Sequence, residues 1–142
     1  MQKEILDYIK SQRVGVLAVE MLDGSPHAAT VHFAHVDDPL VFFFETYSEY
    51  RKAEPLLKNG KARASFVIGS DESNMKTLQI DGTVEVLKDE ERGTFDSVYL
   101  GKFPEKKGKA SDGKFLCFKL VPTWWRFTDW IRSEGKLILT SG

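Results

Sequence analysis

Near the start of the chain, Ile5, Leu6 and Ile9 fall on one helical face while Lys3, Glu4, Asp7 and Lys10 lie elsewhere. That spacing predicts a short amphipathic helix from about Gln2 to Gln12 that caps a larger body. After Arg13 the pattern changes. Val14 to Val19 is rich in β-branched residues, and Asp23-Gly24 with Ser25-Pro26 supplies turn chemistry before a second strand, Ala28 to Val36. Asp37-Asp38-Pro39 then turns into Leu40 to Phe44, which is apolar on both faces and so expected in the middle of its sheet. The three strands read as an antiparallel meander.

From Ser48 to Asn59 the spacing is helical again, with Tyr50, Ala53, Leu56 and Leu57 on one side and Gly60 as the stop. Pro55 would break a regular helix, so the helix is expected to begin near Arg51 or Lys52, or to kink. Ala62 to Ile68 and Thr77 to Leu87 read as strands around a polar loop containing Ser70, Asp71, Glu72, Ser73 and Asn74. A helix is expected over Asp89 to about Leu100, then a mobile lysine- and glycine-rich loop from Gly101 to Lys114. Strands return at Phe115 to Val121, Trp124 to Ile131 and Lys136 to Thr140. Consecutive hairpins with a few interspersed helices indicate a mainly β fold, an antiparallel barrel rather than a parallel α/β sheet. A small barrel cannot bury every apolar residue on both strand faces, so part of its outer wall should meet a second copy in a homodimer.

Composition narrows the class. At 142 residues, 42% hydrophobic and 29% charged, the chain fits a single globular domain over 1–142. A net charge of -1 argues against a surface built as a handle for nucleic acid. Cys117, the single cysteine, makes neither an internal disulfide nor a cysteine-rich metal site, and the start has no apolar signal core, which together suggest a cytoplasmic protein. Its apolar runs are far too short to cross a bilayer as helices, so no membrane partner is expected.

Candidate chemistry is sparse. Glu45, Thr46, Ser48, Tyr50, Arg51 and Lys52 lie between a buried strand and a helix start, where cations, hydroxyls and backbone N–H groups can hold an anion. A solvated helix face is the plainer reading of the same residues. His32 and His35 point to opposite faces of one strand and cannot ligate a single metal ion, so no metal is expected. No catalytic triad, P-loop or Rossmann glycine pattern is present, which leaves chemistry supplied by a cofactor. Trp124, Trp125, Phe127 and Trp130 crowd one strand as core or interface residues, or as a wall for a planar ligand. Lys102, Lys106, Lys107, Lys109 and Lys114 read as a solvated loop, or a lid over an anionic substrate.

Taken together, Thr30-Val31-His32-Phe33, Phe42-Phe43-Phe44-Glu45-Thr46, Arg51-Lys52 and Leu56-Leu57-Lys58-Asn59-Gly60-Lys61-Ala62 resemble the flavin-binding split-barrel family related to pyridoxamine 5'-phosphate oxidase. Leu78 to Val84 resembles that family's glycine-containing strand, and Val121-Pro122 to Asp129 its last strand. The resemblance implies a six-stranded antiparallel split β-barrel of Greek-key type, a homodimer, and FMN at the dimer interface. It implies that Thr30, Val31 and His32 run along the isoalloxazine edge, that Glu45 and Thr46 lie near the ring and ribityl chain, and that Arg51 and Lys52 hold the phosphate. Gln79, or its same-face neighbour Thr77, would reach in from a neighbouring strand, and Thr128 takes the place of an aromatic cofactor contact. Thr30 and His35 stand where the oxidase carries arginine and lysine, which argues against pyridoxamine phosphate as the substrate. An FMN-dependent oxidoreductase acting on another small molecule is therefore expected, with a non-catalytic flavin, deazaflavin or haem binder for storage or sensing as the alternative.

Overall fold

The computed structural model describes residues 1–69, 71–108 and 114–142. Ser70 of the polar loop and Lys109 of the lysine cluster lie outside the described residues. Helix α1 (Lys3–Ser11) buries Ile5, Tyr8 and Ile9, as its apolar stripe requires. Strands β1 (Val14–Glu20) and β2 (Pro26–His32) form a register-matched antiparallel hairpin.

The expected second strand is not continuous. It breaks at Phe33, and its remainder, β3 (Ala34–Asp37), pairs with β4 (Leu40–Tyr47) instead of continuing beside β1. Phe33 turns fully inward, its ring edge-on to Phe42 and Phe66 at centroid distances of 5.9 and 5.3 Å, and its N–H donates to Arg13 O at 3.2 Å. The meander is thus replaced by a closure device. In the sheet order β2-β1-β5-β6-β7-β4-β3, the two halves of one bent segment occupy opposite ends. Counting that segment once leaves six strands around the core, joined by chain continuity where the ladder is open, so the sheet is a split barrel.

The remaining strands are β5 (Lys61–Ile68), β6 (Lys76–Val86), β7 (Phe115–Asp129) and β8 (Leu137–Thr140), the last added outside β7. The two strands expected around Pro122 are one long β7. Its register with β6 shifts between Asp81 and Gly82, so the bulge passes Pro122, which has no N–H for the ladder. Pro55 sits in the first turn of a short helix, α2 (Glu54–Asn59), after a separate 3₁₀ turn, Arg51–Ala53. Of the four residues expected on the buried side, Ala53 and Leu56 are buried, whereas Tyr50 and Leu57 are 50% and 58% exposed. So short a helix presents only part of a turn to the sheet.

Two apolar clusters result. One fills the barrel with Leu17, Phe33, Phe42, Phe44, Phe66, Ile80, Phe118 and Phe127; the other packs helix α3 (Arg92–Lys102) against the outside of β3, β4 and β7. Alternation along β4 serves both, with Phe42 and Phe44 inward and Phe43 outward beneath Phe95 of α3. Within the loop expected from Gly101 to Lys114, α3 runs through Lys102 and a 3₁₀ turn covers Pro104–Lys106. No helix among the described residues is long and apolar enough to cross a membrane.

Candidate functional site

Strand register decides which candidate residues share a face. Thr30 pairs with Val16, Val16 with Val67, and Val67 with Gln79, so these four form one transverse row on the outside of the barrel. Three strand spacings of about 4.8 Å separate Thr30 from Gln79, a span of about 14 Å that fits a planar ring system better than a single ion. Gln79 Oε1 accepts from Arg126 Nε at 3.1 Å, which orients the amide on that row. Val31 points the other way, into the core. Thr77 and Thr128 pair with each other two residues farther along, and Thr128 is only 4% exposed. Thr128 is less accessible than Thr77.

At the end of β4 the chain enters the 3₁₀ turn with a contrast between neighbours. Arg51 is exposed and lines an open cleft with Leu22, Ser48, Glu49 and Tyr50, where its charge acts on Asp23. Lys52 is 7% exposed, and burial lowers the pKa of its amine from the ordinary lysine value. Its Nζ stands 4.9 Å from the centre of the Tyr50 ring, and among the described residues it has no carboxylate or hydrogen-bond partner. Thr46, 4% exposed, makes only a long 3.4 Å bond to Tyr47 O. A buried ammonium and a buried hydroxyl with weak partners are the donors that a phosphate would satisfy. The helix start adds little, because Arg51–Ala53 and Glu54–Asn59 are too short to present an aligned dipole.

Glu45 and Thr46 leave β4 on opposite faces. Glu45, paired with Cys117, lies under α3, where its buried Oε2 has no hydrogen-bond partner among the described residues. Burial raises its pKa, and Lys106 and Arg92 partly offset that rise. Burial also raises the Cys117 thiol to about 11, which marks it as inert packing.

His32 joins the α3 side of the fold. Lys106 Nζ lies 3.0 Å from His32 Nδ1 and 2.9 Å from Tyr99 Oη, while the Phe103 ring lies 4.9 Å from the imidazole. Lys102 and Lys106 are therefore half-buried structural residues, not members of a solvated loop. His35 bonds Asp37 at 2.9 Å, and no cluster of three potential metal ligands occurs among the described residues. Sequence reasoning missed Tyr99. Its signal was the stripe Phe95, Tyr99, Phe103, spaced four residues apart and continuing past the expected helix end.

The sequence profile described as pyridoxamine 5'-phosphate oxidase matches residues 1–129. The chain belongs to that family. No curated protein matches it in sequence. Among solved structures, the haem-binding protein from Mycobacterium smegmatis superposes with a TM-score of 0.74 at 15% identity, covering 99% of this chain, which spans 59% of that protein. A Listeria innocua protein provisionally named a pyridoxamine 5'-phosphate oxidase has a TM-score of 0.68 at 24% identity, with 87% of this chain and 94% of that one covered. A pyridoxinephosphate oxidase family protein from Clostridium acetobutylicum, related to general stress protein 26, gives 0.67 at 17%, over 97% and 92%. At these identities the neighbours define the shared family fold.

Proposed function

We propose that this protein is an FMN-binding oxidoreductase that acts as a homodimer on a small molecule other than pyridoxamine phosphate. The observation that carries the reading is Lys52, a buried ammonium that faces the Tyr50 ring but has no carboxylate or hydrogen-bond partner among the described residues, at the position that the family resemblance assigns to the cofactor phosphate. Lys52 and Thr46 would hold the phosphate, with Arg51 adding charge from the exposed side. The Thr30–Val16–Val67–Gln79 row would support the flavin ring, and a second copy laid on that half-buried row would cover the opposite face. Bound FMN would supply hydride or electron transfer. The chain's part is to bind, orient and exclude water, with the fixed Gln79 amide as a hydrogen-bonding group on the ring side. Lacking arginine at Thr30 and lysine at His35, this chain offers a different charge pattern from the oxidase proper.

A second reading draws on the haem-binding structural neighbour, which points to a tetrapyrrole held for storage or sensing. The absorbance spectrum of the purified protein, before and after adding FMN or haem, separates the two. A flavin spectrum near one per chain, bleached by a reduced nicotinamide, supports the oxidoreductase. A Soret band without flavin binding supports the second reading, and indifference to both overturns each.

A further inference from the structure

The contact between Lys106 and His32 fixes more than a distance. A lysine ammonium can only donate, so its approach to Nδ1 at 3.0 Å makes that nitrogen the acceptor and leaves the ring proton on Nε2. The same Nζ stands 5.0 Å from the centre of the Phe103 ring and 5.1 Å from that of Tyr99, two faces that attract a cation. Among the described residues, the other charged groups that face His32 come from adjoining elements. Arg13 lies between α1 and β1, Lys102 ends α3, and Glu105 shares the 3₁₀ turn with Lys106. The one carboxylate in that set is bonded to Arg13 at 2.8 Å, which leaves Lys102 and Lys106 opposing a charge on the imidazole.

We propose that Lys106 is a positioning residue that locks His32 as a neutral Nε2–H hydrogen-bond donor, and that protonation of His32 releases the Pro104–Lys106 turn from β2. A protonated imidazole has no lone pair for Lys106 and repels it, so acid opens this contact. The lock itself requires no cofactor. Its use, a donor of fixed tautomer on the strand assigned to the flavin edge, rests on the FMN reading above.

Nitrogen-15 NMR of the histidine-labelled full chain tests the lock, with resonances assigned through His32→Gln. In the wild type His32 is expected as the Nε2–H tautomer at neutral pH, titrating below the ordinary histidine range. Lys106→Met should give a mixture of tautomers and raise the titration point, whereas Lys106→Arg, which keeps the cation, should leave it low. His35, bonded to Asp37, reports whether each variant remains folded. An Nδ1–H tautomer in the wild type overturns the proposal without any variant, as does a folded Lys106→Met protein whose His32 is unchanged. Failure to bind FMN would overturn the cofactor reading and leave these spectra as they are.

Discussion

The ammonium of Lys102 stands 4.1 Å from the centre of the Phe33 ring, at the point where the bent second strand turns inward to close the barrel. It also donates to Gln12 O, tying the end of α3 to the exit of α1. Burial, with Arg13 adding repulsion, lowers its pKa to about 8 from 10.5. The folded chain therefore binds fewer protons than the unfolded chain between those values, and stability from this group rises with pH across that window. Cys117, raised by burial to about 11 from 9, works in the opposite direction over part of it. Subtracting the urea-unfolding curve of Lys102→Met from that of the wild type removes the shared cysteine contribution. The difference should grow in favour of the wild type by about 2 kcal/mol between pH 8 and 10.5. A flat difference would show that Lys102 is solvated in solution.

Gly82 is required by a close approach of backbones at the β6–β7 bulge. A Cβ there would fall inside the contact distance of Val121 O and lie 3.0 Å from Pro122 Cα, and neither is a flexible side-chain end. Gly82→Ala should destabilise by at least about 1–3 kcal/mol, the usual range for overpacking. At Gly93, in the first turn of α3, an added Cβ meets nothing within 4 Å. Gly93→Ala should instead stabilise by up to about 0.5 kcal/mol through helix propensity. Thermal midpoints of the two variants should move in opposite directions.

How much was legible follows from the range of each signal. The α1 stripe, the turn at Asp23-Gly24, the left-handed Gly60 stop and the two-faced apolar run through Phe44 are local patterns, and each names its element directly. The break at Phe33 is not local. The one local trace is Phe33-Ala34, adjacent apolar residues where the apolar positions pass from odd (Val31, Phe33) to even (Ala34, Val36), too brief to name a break, and the strand divides because its halves join opposite ends of a curved sheet. The long β7 was hidden for a related reason, since Pro122 reads as a terminator until the bulge opposite Gly82 accommodates it. At the site, residue type nominated Arg51 and Lys52 together, but only burial separates them. The role of Lys106 depends on a partner 74 residues away in sequence.

That separation predicts unequal effects on cofactor binding. Lys52→Ala removes the buried charge and should weaken FMN binding by about 10–100-fold, the scale of one charge-assisted hydrogen bond. Arg51, exposed and acting on Asp23, should matter less, with Arg51→Ala costing under about tenfold. Quenching of flavin fluorescence during titration gives both affinities. Equal losses, or a larger loss at Arg51, would move the phosphate into the open cleft beside Tyr50.

Glu45 offers the opposite pH signature to Lys102 and tests the face of β4 that lies under α3. Its pKa is raised, chiefly by burial, so above the ordinary value of 4.5 the folded state keeps a proton that the unfolded chain has released, and stability from this group is lost as pH rises through the folded pKa. Lys106 already bonds His32 and Tyr99, so neutralising Glu45 does not leave that ammonium without partners. Glu45→Gln should therefore be neutral to stabilising at pH 7, by up to about 1 kcal/mol, and the gain should vanish below pH 4.5, where both chains are uncharged at this position. Paired unfolding curves at the two pH values measure it. A loss of stability at pH 7 would mean that the Glu45 carboxylate is held by Arg92 or Lys106 more strongly than burial disfavours it, and the buried Oε2 would then have a partner in solution.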